Sequence, residues 1–262
     1  MLPVKRWHQA IEKRHSTRIY NGKPVEAEKL TALREMCHTF HPTNSVRAVL
    51  VEESGSDVFK GAVGNYGKIK GNPAYLAFVG KPTESDTLEM IGYLGEGLIL
   101  EATALGLNTC WIGGFFRPEA AAQAVGLEED EHVFALTPVG YPLEQITFEE
   151  KLMRGFKKER KRKPLEDLVT GIPAGQWPDW VKAGLEAARL APSAINRQPW
   201  RFVVEKDHVI LSTDGKRDRI GLPRRLDCGI AMLHFELGAL TQNISLTKNL
   251  LPAPQVVRFV EK

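Results

Sequence analysis

Hydrophobic and polar positions along this chain switch repeatedly between a helical and a strand period. Leu30, Leu33 and Met36 or Cys37 recur on one face of Ala27–Thr39, and Val181, Leu185 and Ala188 do so in Trp180–Leu190. Both stretches predict amphipathic helices, and Pro192 stops the second. Val4–Lys13, the apolar Leu94–Leu107 and the small Pro118–Gly126 complete the helices of the first part. Continuous or alternating apolar runs predict strands at Val46–Glu52, Ala74–Val79 (ended by Gly80), Val133–Val139, Phe202–Val204 and Val256–Val260. Thr109–Ile112 reads as a short extended piece before Gly113-Gly114. The elements mix without strict strand–helix–strand alternation, which predicts an α+β fold. No G-x-G-x-x-G follows a strand, and no P-loop is present.

Two parts of the pattern resemble each other. Gly97-Leu98-Ile99-Leu100 leads to Gly106, and Gly229-Ile230-Ala231-Met232 leads to Gly238, at one common offset. Arg47–Val51 and Arg201–Glu205 both read as the strand after a helix. Duplication and chance likeness of two apolar helices both account for this. A second unit starts near Thr170 and repeats helix, strand, helix, after a basic connector over Phe148–Pro164.

The bulk properties narrow the function classes. The 262 residues suffice for a large core in one or two domains. A net charge of +3 argues against a general polyanion binder, although Lys157–Lys163 is densely basic. That run suits a phosphate, a nucleic acid or a solvated linker, and nucleic acid fits least because no aromatic residues interleave the basic surface. Cys37, Cys110 and Cys228 are odd in number and far apart, so neither a disulfide framework nor a clustered metal site is expected. That usage fits a reducing compartment, and the N-terminus shows no apolar leader, so a cytoplasmic location is expected. Leu94–Leu107 contains Glu96 and Glu101 and is short for a bilayer span, so it reads as a core helix.

Two further segments offer chemistry beside the tight corner Ala191–Trp200. In Arg14-His15-Ser16-Thr17-Arg18, two guanidinium groups flank a hydroxyl, which suits an anion; Arg14 and Arg18 share a face if the first helix continues. A solvated basic patch at a helix end is the alternative. Trp111-Ile112-Gly113-Gly114 lets a flat ligand reach backbone N–H groups, or is a plain turn. In the corner itself, Ser193 and Asn196 either bind a ligand or cap the preceding helix.

The order of these segments resembles the FMN-dependent nitroreductase family. Arg14-x-Ser16-x-Arg18 comes first, then Gly106-Leu107-Asn108-Thr109-Cys110-Trp111-Ile112-Gly113-Gly114, then Gly140-Tyr141-Pro142. A basic segment ending Arg162-Lys163-Pro164-Leu165 follows. Pro192-Ser193-Ala194-Ile195-Asn196-Arg197-Gln198-Pro199-Trp200 is similar to the family's P-S-x-x-N-x-Q-P-W motif. In ordinary members that motif lies soon after R-x-S-x-R, where this chain reads His41-Pro42-Thr43-Asn44-Ser45-Val46. The resemblance therefore implies both halves of the family's homodimer fused into a single-chain pseudo-dimer. Residues 1–165 would carry R-x-S-x-R, W-I-G-G and G-Y-P, and residues 166–262 the P-S-x-x-N-x-Q-P-W motif. Each half would hold a helix-covered mixed or antiparallel sheet.

What the resemblance implies for function is specific. One FMN per chain would be held at its phosphate by Arg14, Ser16, Arg160 and Arg162, with Arg18 near the flavin N1–C2=O edge. Asn65 and Lys68 would touch the ribityl chain and ring, and Gly113 and Gly114 would offer N–H groups near N5 and O4. Pro192, Ser193 and Asn196 would reach the ring and ribityl chain from the other half. The expected reaction moves hydride from NAD(P)H through flavin N5 to a nitroaromatic, quinone or enone acceptor. The cofactor carries that chemistry, so no catalytic side chain and no metal are expected. No nucleic-acid or membrane partner is expected, and the fused dimer is expected to be a monomer. A flavin-binding protein without robust turnover, and a family-shaped protein that has lost FMN for another ligand, are the alternatives.

Overall fold

The computed structural model describes residues 2–61, 69–143, 161–218 and 221–262. Asn65, Lys68, Arg160 and most of the basic connector lie outside the described residues. The fold is α+β, with six α-helices and two sheets among the described residues. It divides into two compact units. One comprises residues 13–87 and 98–161, the other residues 1–12, 88–97 and 162–262.

In the first unit, β1 (Val46–Val51), β2 (Ala74–Gly80), β4 (His132–Gly140) and β3 (Asn108–Thr109) form an antiparallel sheet in that spatial order. All seven residues of β2 are buried, as a central strand covered on both faces requires. Tyr75, Ala77 and Val79 point to one face, where they meet Val58, Phe59, Leu136, Ala121 and Val125. On alternate positions, Phe78 packs its ring 5.0 Å from that of Trp111. Helix α2 (Ala27–Thr39) lies on β1 through Leu33 and Cys37. Helix α4 (Pro118–Val125) starts with Pro at its first turn and ends at Gly126 with φ +60°.

Arg47 of β1 ties down the loop after α4. Its Nε and Nη2 donate to the two Glu131 oxygens at 2.8 and 2.6 Å, and Nη2 also reaches the Gly126 carbonyl. The guanidinium first of all holds the Glu131 carboxyl below its usual range. A depressed acid contributes stability above its unfolded pKa of about 4.3, and loses it as pH falls toward the lower folded value. Arg47→Met is therefore expected to cost about 1–3 kcal/mol at pH 7 and less near pH 3. Urea titrations at the two pH values check this; an equal loss at both would contradict it.

In the second unit, β5 (Val169–Gly171) runs parallel to β6 (Trp200–Val204). The sheet then continues antiparallel through β7 (Val209–Thr213), β9 (Gln255–Glu261) and β8 (Leu246–Leu250). Trp200, Phe202 and Val204 alternate inward, and Phe202, Phe235 and Phe259 stack into one aromatic column. Helix α6 (Arg224–Leu240) is buried along nearly its whole length, and α5 (Asp179–Arg189) packs against it so closely that a Cβ at Gly238 would sit 2.3 Å from the Ala183 carbonyl.

Helix α3 spans Thr87–Ala104 and begins seven residues before the apolar pattern places it. Charged and polar groups in its first turns are buried in pairs. Glu89 is held by Arg225, with Nε 2.9 Å from Oε2. The Tyr93 hydroxyl donates to Glu236 at 2.6 Å, and Lys248 donates to both.

The same stretch of α3 meets α6 reciprocally. A Cβ at Gly92 would lie 2.0 Å from the Leu226 carbonyl oxygen, and one at Gly229 would lie 1.9 Å from the Glu89 carbonyl oxygen. Residue 89 thus corresponds to 226 and residue 92 to 229, the self-complementary pattern of a two-fold contact. This register differs from the sequence match of Gly97 with Gly229, because it is set by where two backbones touch.

Candidate functional site

Helix α1 (Val4–Lys13) ends at Lys13, so Arg14 and Arg18 do not share a helical face. The chain continues extended. Ser16 bridges Thr109, Ile19 bridges Lys70 and Tyr20 bridges Pro142. The Thr17 N–H donates to the Thr109 carbonyl at 2.9 Å, and the Lys70 N–H donates to the Arg18 carbonyl at 3.0 Å. Tertiary pairing has overridden the helical register.

An extended backbone alternates its side chains, which puts Arg14, Ser16 and Arg18 on one side. The other side is anchored. Asn108 Nδ2 donates to Thr17 Oγ1 at 3.1 Å and to His15 Nε2 at 3.0 Å, while His15 Nδ1 donates to the Lys13 carbonyl. His15 therefore holds the segment in place, and the cation–hydroxyl–cation row remains half-buried. The Tyr20 hydroxyl donates to the Thr17 carbonyl at 2.8 Å, and its burial pushes the phenol pKa well up.

Beyond β3, Cys110 is buried and its N–H donates to Thr137 Oγ1 at 3.0 Å. Ile112 exchanges two backbone hydrogen bonds with Leu136, and the chain then bends through Gly113 and Gly114. Phe115 follows in the left-handed region at φ +62° with 45% of its surface exposed. That conformation is costly for an aromatic residue. The Thr109 hydroxyl is buried without a hydrogen-bond partner among the described residues.

In the other unit, the corner between α5 and β6 is strongly strained. Helix α5 already ends at Arg189, short of Pro192. Ile195, Asn196 and Gln198 all have left-handed backbones, at φ +50°, +58° and +49°. Each such residue costs of order 1–3 kcal/mol and persists only where the surroundings over-determine it. Here they do. Ser193 Oγ accepts from the Gln198 N–H at 3.0 Å, and Gln198 Oε1 accepts from the Lys163 N–H at 2.8 Å. Arg162 donates to Asn196 Oδ1 at 3.0 Å and to the Leu190 carbonyl at 2.8 Å. Lys163 Nζ caps the Arg197 carbonyl at 3.0 Å, and burial lowers its pKa.

The candidate residues thus gather as two groups, each within its own unit. Arg14, Ser16, Arg18, Gly113 and Gly114 belong to the first; Arg162, Pro192, Ser193 and Asn196 belong to the second. The sequence reading names Asn108, Thr109 and Arg197 only as motif positions without a role, and passes over Asp227. For Asp227 one signal was available: it is the one carboxylate in the first turn of its helix, set among buried apolar residues. The corner between α2 and β1, which should correspond to the strained one, has no left-handed non-glycine residue at 40–45. Its polar groups satisfy each other locally, with Thr43 and Ser45 hydroxyls 2.8 Å apart.

Residues 7–239 match the family described as "Putative TM nitroreductase", and the chain belongs to that family. Membership places it among oxidoreductases. Its fold is similar to that of a Thermotoga maritima protein described as a putative nitroreductase, with a TM-score of 0.64 at 21% identity, over 97% of this chain and 93% of that one. A nitroreductase family protein of Streptococcus pneumoniae is 16% identical, with a TM-score of 0.47 over 62% of this chain and 98% of that one. An FMN-dependent nitroreductase of Clostridium difficile is 18% identical, with a TM-score of 0.45 over 52% and 87%. A search of curated proteins gave no match. Among the described residues, no helix is long and apolar enough to cross a membrane, and no His/Cys/Asp/Glu group could hold a metal ion.

Proposed function

We propose that the chain is an FMN-dependent oxidoreductase that takes reducing equivalents from NAD(P)H and passes them to an electron-poor acceptor of nitroaromatic, quinone or enone type. The strained corner at 193–198 carries this reading. Three left-handed non-glycine residues are retained in one of two corresponding corners, where a ligand-facing role would justify their cost.

The residues present fit the cofactor. Arg14 and Ser16 offer forked and hydroxyl donors suited to the phosphate, together with Arg162, whose guanidinium already orients Asn196. Arg18 supplies positive charge for the anionic edge of the isoalloxazine. Gly113 and Gly114 present backbone without side chains, and the exposed Phe115 ring offers an apolar face for a flat acceptor. Bound FMN would supply two-electron transfer, for which no protein nucleophile is needed. The protein's part is to bind, orient and polarise.

The reciprocal Gly92–Leu226 and Gly229–Glu89 contacts support an internal duplication, and the single copy of each binding motif supports one composite site per chain. Purified protein reconstituted with FMN and freed of excess is expected to retain one flavin per chain by visible absorption. Arg14→Ala and Asn196→Ala should each weaken binding about tenfold or more. A chain that retains no flavin would overturn the reading. Retention of two would overturn the single composite site, as would an Asn196→Ala variant of unchanged affinity.

A further inference from the structure

The 193–198 corner is held by an ion pair that the flavin reading does not itself require. Arg197 Nε donates to Asp227 Oδ2 at 2.6 Å, and the Ala194 N–H donates to Asp227 Oδ1 at 3.2 Å. The remaining guanidinium nitrogens donate to the Leu222 and Pro223 carbonyls at 2.8 Å, just before α6 begins. One carboxylate therefore grips the corner on both sides of Ile195 and Asn196, the two residues with consecutive left-handed backbones.

The pair is specific to one half. The α3–α6 contact makes residue 89 correspond to 226, so Asp227 corresponds to Met90, which is buried and apolar. A carboxylate stands beside the strained corner, and a thioether stands at the matching helix position. A generic need of the fold would not distinguish them.

Building on the flavin reading, we propose that Asp227 is a positioning residue for the cofactor: through Arg197 and the Ala194 N–H it clamps the corner in the conformation that presents Asn196. The clamp requires a charged carboxylate. Burial pushes the Asp227 pKa up to about 6, against the opposing pull of Arg197 and Arg224. Arg224, on the same helix, is itself paired with Asp214 at 3.2 Å, and the adjoining Cys228 thiol is pushed well up by its own burial. Protonation below about pH 6 removes the charge that holds Arg197, so the clamp and flavin affinity both weaken as pH falls.

The test compares the full-length wild type, Asp227→Asn and the double variant Arg197→Met/Asp227→Leu, which leaves no unpaired buried charge if the single variant folds poorly. FMN titration at pH 7.5 should show about tenfold weaker binding for Asp227→Asn. The ratio of variant to wild-type dissociation constants should shrink toward one at pH 5, a comparison that cancels titration of the FMN phosphate. Without flavin, hydrogen exchange over residues 193–199 should speed up in both variants, while β6 beyond Trp200 and β7 stay protected. Equal affinities at pH 7.5, a ratio unchanged with pH, or unaltered exchange at the corner would each overturn the proposal. A wild type that takes up no FMN would overturn the flavin reading, and the proposal with it.

Discussion

Gly229→Ala is expected to destabilise the chain by about 3 kcal/mol or more, with a fall in Tm of roughly 10 °C. The added methyl would sit 1.9 Å from the Glu89 carbonyl oxygen and 2.7 Å from its carbon. Both are backbone atoms of a helix, so no flexible side chain can yield. The helices must separate, and separation strains what crosses between them: the Arg225–Glu89 pair, the Tyr93–Glu236–Lys248 group and the reciprocal contact at Gly92. Gly92→Ala should behave alike, at 2.0 Å from the Leu226 carbonyl oxygen. Because the two contacts yield together, the double variant should cost less than the sum of the singles. Gly175→Ala is the control, since nothing lies within 4 Å of its Cβ position, and it should be neutral. Thermal unfolding of the wild type and the four variants checks the set, and a Gly229→Ala variant within 1 °C of the wild type would contradict it.

Much of the fold was legible because amphipathic periodicity and burial coincide. Helices α1 and α2 fall where their apolar spacing places them, and β2 reads as buried because all its positions are apolar. Three strands escaped notice: β7 carries the signal in its buried alternate positions Val209 and Leu211, whereas β5 and β8 lack it. Strand β8 is the sheet edge, mostly exposed, and its Leu-Thr-Lys-Asn-Leu run shows no buried face; β5 is only three residues long. The early start of α3 was hidden because Glu89 breaks the apolar run, and only its partner Arg225, far along the chain, makes its burial tolerable.

The candidate site was legible as motifs and illegible as geometry. Arg14, Ser16 and Arg18 stand at a spacing that suits a helix face or a strand face, and pairing with Thr109 selects the strand. Asn196 was visible in its motif, whereas the Asp227 that holds its loop lies in another element, and its place in a helix's first turn does not point to the corner it grips. Strain explains the difference. Left-handed backbones at Ile195, Asn196 and Gln198 contradict local propensity, and such contradictions are expected where function, not folding, selects the residue. Ionised Asp227 adds to that cost. Its raised pKa means that folding favours the protonated acid, so its stabilising contribution is complete below pH 4 and is lost as pH rises through about 6. Keeping this buried carboxylate ionised at neutral pH therefore costs folding free energy, a demand that apolar Met90 at the corresponding position does not make.

Glu96→Ala is the second substitution expected to act strongly, at about 3–5 kcal/mol of unfolding free energy. Glu96 and His234 are both 0% exposed, with Nε2 2.8 Å from Oε1. His234 Nδ1 lies 3.1 Å from the Ala187 carbonyl, which can only accept, so Nδ1 carries a proton. A second proton lies between Nε2 and the carboxyl, and the pair is neutral as a whole whichever atom holds it. Alanine removes that partner and leaves both a cavity and an imidazole nitrogen with a broken hydrogen bond, deep between α3 and α6. Glu96→Gln separates the hydrogen bond from the charge, because its amide N–H can donate to Nε2 of a neutral His234. It should therefore recover most of the loss, to within about 1 kcal/mol of the wild type. Urea unfolding of the three proteins at pH 7 decides the matter. A glutamine variant as unstable as the alanine variant would mean that the core holds a true ion pair. An alanine variant within 1 kcal/mol of the wild type would mean that the pair contributes nothing to holding α6 in place.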